Sequence, residues 1–145
     1  MTFEKAVSFL DERVRKGVLV KWNDKDMANC KSDAYKMGVF YVFSKNREIV
    51  YVGLIGGGAD TCLYDRYSGH GWGSLEDAIK KRNRMEMPSC VRFQQFENEK
   101  YDMPQLRLIK RLLIWKHKPV GARIPPEGKL RKDCWQSLVT SDDKI

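Results

Sequence analysis

The sequence predicts an α/β chain of the α+β kind: a central antiparallel three-stranded sheet flanked by helices, with a further helix at the N-terminus. Three observations predict it. Two β-branched and aromatic runs, GVFYVF (38–43) and REIVYVG (47–53), stand three residues apart, the pattern of an antiparallel hairpin. A third run of this kind, SCVRFQQF, occupies 89–96. Segments with helical spacing of apolar residues lie before, between and after these strands.

In chain order, Phe3, Ala6, Val7, Leu10 and Val14 repeat at helical spacing, with Thr2 placed to cap them and Gly17 just beyond, so 3–16 reads as a helix. Residues 23–37 mix polar and small side chains without a period and read as a loop or short irregular helix. After the hairpin, Gly56, Gly57 and Gly58 lack both the GK[ST] ending and the GxGxxG spacing of phosphate loops, and read as a loop insertion. Ser74 with Asp77 three positions later has capping-box form and opens a helix at about 75–85 with a basic outer face. Pro104 marks the start of a helix over 105–117, where Leu106, Ile109 and Leu113 with Leu108, Leu112 and Trp115 form a wide apolar stripe that must pack on the sheet. Pro119 ends it, and PVGARIPPEGK is extended or turn-like before a short segment around Cys134–Val139.

With 145 residues, 42% hydrophobic and 32% charged, the chain is sized for one globular domain and is not compositionally disordered. No apolar run approaches the ~20 residues that span a bilayer, so no membrane is expected as partner. Glu4, Asp11 and Glu12 interrupt any secretory pattern in the first 16 residues. Cys30, Cys62, Cys90 and Cys134 form no CxxC, and with two histidines in the chain they outline neither a zinc knuckle nor a disulfide scaffold; reduced thiols in a cytoplasm are the expectation. The formal charge is +8, and residues 105–132 alone hold nine Lys/Arg against Glu127. Cationic charge gathered in one segment is the footprint of a surface that meets a polyanion, and equally that of a solubilising face.

Gly38-Val39-Phe40, then Tyr51-Val52-Gly53 with Tyr51 eleven positions after Phe40, then Arg66 with His70 four positions on, and a late helix ending LLIWKHKP form an ordered set. In this order the chain resembles the GIY-YIG nucleases over about residues 37–122, with 1–36 an N-terminal helix and loop and 123–145 a C-terminal extension of the same single domain. The resemblance implies an endonuclease that hydrolyses double-stranded DNA with one divalent cation, Mg²⁺ or in its place Mn²⁺. It implies a stand-alone enzyme of restriction, phage or mobile-element type in a bacterial or phage-infected cytoplasm.

It also implies roles. Tyr51 stands at the second motif tyrosine as general base or water-orienting group, with Tyr41 the substitute in another hairpin register. Phe40 occupies the first motif tyrosine's position without a hydroxyl. Arg66 would meet the phosphate bidentately, a geometry lysine cannot copy, and His70 would donate to it or carry a proton. The metal-binding glutamate of the family falls nine positions before the proline, which here is Lys110. A carboxylate there would hold Mg²⁺ and an ammonium would repel it. Three explanations stand side by side: an inactivating Glu→Lys change, a naturally inactive DNA-binding relative, or a ligand moved to Glu97 or Glu99. Lys80, Lys81, Arg82 and Arg84 with Arg107, Arg111, Lys118 and Arg123 are the expected phosphate contacts. Two cuts by one small site would call for a homodimer. The alternative function is a non-catalytic DNA-binding or interaction module.

Overall fold

The computed structural model describes residues 1–56, 61–69, 74–82, 87–96 and 101–139, with the Arg82 side chain left aside. His70, Arg84, Glu97 and Glu99 lie outside these residues.

Thr2 accepts from the Lys5 amide and starts helix α1, Phe3–Arg15, as its spacing predicts. The chain then enters a strand the sequence reading lacks, β1, Val18–Lys21. Asn23 caps one turn of helix, α2, Asp24–Met27, and a 3₁₀ turn follows at Asp33–Tyr35 inside the segment expected to be irregular. The hairpin is as expected: β2, Gly38–Ser44, and β3, Ile49–Ile55. Helix α3, Leu63–Ser68, carries Arg66, and Ser74 accepts from the Asp77 amide at the start of α4, Leu75–Arg82. Strand β4, Pro88–Gln95, precedes the long helix α5, Met103–His117, whose capping box joins Asp102 to Gln105. Turn and irregular chain follow Pro119 as read, then a short helix the sequence reading lacks, α6, Glu127–Lys132, and a 3₁₀ turn at Trp135–Leu138.

The sheet has four strands, not three, in the order β1-β4-β2-β3, every neighbouring pair antiparallel. The added strand β1 sits on the outer edge of β4, where Val20 alone of its residues is buried. A single inward residue in a four-residue strand leaves no alternation to read in the sequence.

Strand alternation divides the core in two. Val39, Tyr41 and Val52 point to one face and pack with α1, α5 and the C-terminal Leu130, Trp135 and Leu138. Phe40, Val42, Tyr51, Val91 and Phe93 point to the other and pack with Met27, Leu63, Leu75 and Ile79 of α2, α3 and α4. Opposite Val42 the register slips, so that Val50 and Tyr51 both turn toward the second face. A bulge of this kind re-aims a side chain at the rim of a sheet.

Candidate functional site

Glycine shapes the floor of the site. Phe40 pairs with Gly53 across the hairpin, and its ring is fully buried against the glycine backbone. A Cβ on Gly53 would stand 2.2 Å from Phe40 Cζ and 2.9 Å from a Tyr51 ring carbon. A Cβ on Gly38 would likewise meet the Phe93 ring at 2.6 Å. Both motif glycines thus make room for aromatic rings, and on this floor Phe40 and Tyr51 stack with centroids 5.9 Å apart and planes 26° from parallel.

Arg66 reaches the same place from α3. Its Nη2 donates to the Tyr51 hydroxyl at 3.2 Å, and the guanidinium carbon lies 5.7 Å from the Tyr51 ring centre. Because α3 has only six residues, its orientation comes from anchoring to its surroundings. The Tyr67 hydroxyl donates to Asp24 of α2 at 2.6 Å, and the Tyr67 ring packs edge-on against Trp22 at 5.0 Å. Leu63 is fully buried beneath the helix. Arg66 and Tyr51, fifteen residues apart in sequence, are therefore brought together by the bulged hairpin and an anchored turn of helix.

Tyr41 does not belong to this pair. Alternation sends it to the opposite face, where it is fully buried and its hydroxyl donates to Asp11 at 2.8 Å. Burial, and then the neighbouring Asp11 carboxylate, push its phenol well above the ordinary range, so Tyr41 is not available as a base. Asp11 also receives both of its Arg15 Nε contacts, at 3.1 and 3.2 Å, and lies 2.7 Å from His117 Nε2. This buried Tyr41–Asp11–His117 cluster joins β2, α1 and the end of α5; no short-range pattern in the sequence announces it.

Lys110 sits half-buried in α5, the helix laid across the face opposite Tyr51, beside the buried Leu106, Ile109 and Leu113. Among the described residues no three His, Cys, Asp or Glu side chains come together as a metal-holding group. With an ammonium at position 110, the described residues do not fit a resident divalent cation. The expected phosphate contacts divide. Arg107, Lys118 and Arg123 are exposed, Lys118 lying 5.4 Å from the Trp115 ring centre, and Lys81 is exposed on α4. Arg111 faces Asp133 at 3.4 Å and Lys80 faces Glu76 at 3.6 Å, so these two are partly neutralised within the fold.

No family model, curated protein or solved structure matches the chain. No helix among the described residues is long and apolar enough to cross a membrane.

Proposed function

We propose that the chain is a phosphodiester-directed endonuclease of the GIY-YIG kind, acting on double-stranded DNA, with Arg66 and Tyr51 receiving the backbone phosphate. The observation that carries this reading is the Arg66–Tyr51 hydrogen bond at 3.2 Å above a floor cleared by Gly53. A guanidinium held in a partly buried site supplies fixed positive charge where a phosphate gains negative charge during hydrolysis. Since the Tyr51 oxygen accepts from Arg66, its own proton is directed to another acceptor, and the hydroxyl can donate to a phosphate oxygen or order a water beside it. Arg66 is the group for charge and Tyr51 the group for orientation. A second reading, duplex binding without cleavage, is favoured by Lys110, which brings a cation to the position where the resemblance implies a metal ligand.

Supercoiled duplex incubated with the chain and with its Arg66→Lys form, with and without Mg²⁺ or Mn²⁺, separates the readings by nicking on a gel. Nicking by the chain that the Arg66→Lys form loses supports the first reading. Salt-sensitive binding with cleavage by neither form supports the second reading. No binding by either form removes both.

A further inference from the structure

A cleft of about 490 Å³ opens at the hairpin end of the sheet, away from Tyr51 and Arg66. Arg15 of α1, Lys45 and Arg47 of the β2–β3 turn, and Arg92 of β4 line it, together with Ser44, Ser89 and Phe43. It lies on the other face of the sheet. Arg92 is paired with Tyr41 across β2 and β4 and so shares its face, and Phe43 packs with the cluster that contains Tyr41.

Four cations line this cleft and no carboxylate does. Arg15 is paired with Asp11, and Arg92 Nη1 donates to the Gly17 carbonyl at 3.0 Å, which fixes its guanidinium; among the described residues no carboxylate pairs with it. Among the described residues, neither Lys45 nor Arg47 has a carboxylate partner. Both side chains are exposed. Burial pushes the Cys90 thiol of the lining upward, so it adds no negative charge at neutral pH.

The backbone supplies a second, independent observation. The turn is a three-residue loop closed by Ser44 N–H to the Glu48 carbonyl at 2.9 Å and Arg47 N–H to the Ser44 carbonyl at 3.0 Å. Its last residue, Arg47, takes φ of 64°. Loops of this form place glycine or asparagine at that point, because a side chain there is strained. This conformation aims the Arg47 side chain from the tip of the turn, beside the three other cations of the cleft.

We propose that this cleft is a second phosphate-binding site, taking backbone phosphates of the duplex on the opposite face of the sheet from Arg66 and Tyr51. It rests on the reading of the chain as a DNA-directed protein, from which it takes the identity of the polyanion. Free phosphate has the same chemistry, and the test separates the two sources.

The test measures duplex affinity as a function of salt for the chain and for a Lys45→Gln/Arg47→Asn double variant. Asparagine tolerates the left-handed conformation, so the melting temperature of the variant is expected at or above that of the parent. Each lost phosphate contact lowers the log–log salt slope by about 1, so a drop of about two is expected. An unchanged slope in a folded variant, with the parent still binding duplex, overturns the cleft assignment alone. A parent that binds no duplex overturns the functional reading and this inference with it. Displacement of the duplex by micromolar inorganic phosphate, lost in the double variant, reassigns the cleft to free phosphate and overturns the backbone assignment.

Discussion

Gly53 and Phe40 form a matched pair, each residue fitting because of the other. The ring occupies the volume a Cβ on residue 53 would need, at 2.2 Å from Phe40 Cζ. Gly53→Ala therefore forces the ring or the strand to move, an overpacking cost of about 1–3 kcal/mol. Phe40→Leu removes both Cε carbons and Cζ of the ring and creates a cavity costing a similar amount by itself. Combined, the two changes relieve one another, and a coupling of about 1 kcal/mol is expected in a double-mutant cycle followed by urea unfolding. Strict additivity would show that the close approach does not govern this part of the hairpin. The same pair shows what the glycine ending the Tyr51-Val52-Gly53 tripeptide does in the fold: it clears the volume for the Phe40 ring, on which Tyr51 stacks with its hydroxyl accepting from Arg66.

Between elements, Asp11 is the main polar joint of the first face, tying α1 to β2 and to the C-terminal turn of α5. Burial would raise its carboxyl, but hydrogen bonds from His117 and Tyr41, the charge of His117 and the Arg15 contact outweigh burial and hold it down from 3.8 to about 2. A carboxyl depressed in the folded state contributes stability above its unfolded value, and this contribution is lost as pH falls through the folded one. Stability is thus expected to drop by about 2 kcal/mol between pH 4 and pH 2 from this group. Asp11→Asn should cost about 3 kcal/mol at neutral pH by leaving its partners unmatched. The variant should also lack that acid-side drop, which chemical denaturation across the pH range would reveal; a drop of the same size in the variant would place its origin elsewhere. Elements with local signals were legible in the sequence: α1 and α4 through their caps, α5 through its stripe and Pro104, the hairpin through two β-branched and aromatic runs three residues apart. The short helix α2 falls within the loop or short irregular helix read over 23–37, while β1 and α6 were not legible, because each is held by distant partners: β1 by β4, and α6 by Arg131 on Glu4. The Asp11 cluster escaped for the same reason, with its bonds spanning 30 and 106 residues.

At the scale of the molecule, the segment from Leu130 to Val139 is structural. Leu130, Trp135, Leu138 and Val139 are buried in the first-face core. The Trp135 ring meets Phe3 edge-on at 5.7 Å, and Tyr101 donates to the Leu138 carbonyl at 2.6 Å. Arg131 lies 4.5 Å above the Phe3 ring and pairs with Glu4, drawing α6 onto α1. Losing four such side chains forfeits roughly 1.5–3 kcal/mol each, a sum comparable with the whole stability of about 5–15 kcal/mol. A chain cut after Ala122 is expected to lose cooperative melting by circular dichroism and to be digested by protease under conditions where the full chain survives. A cooperative transition within a few degrees of the parent would show instead that the segment from α2 to α5 folds without this packing. The consequence for function is practical. Part of the cationic charge gathered in 105–132 braces the fold, through Arg111 on Asp133 and Arg131 on Glu4, while Arg107, Lys118 and Arg123 remain exposed to solvent. Deletion would abolish binding by unfolding the chain. Neutralising the exposed three one at a time should instead lower the salt slope stepwise at constant melting temperature.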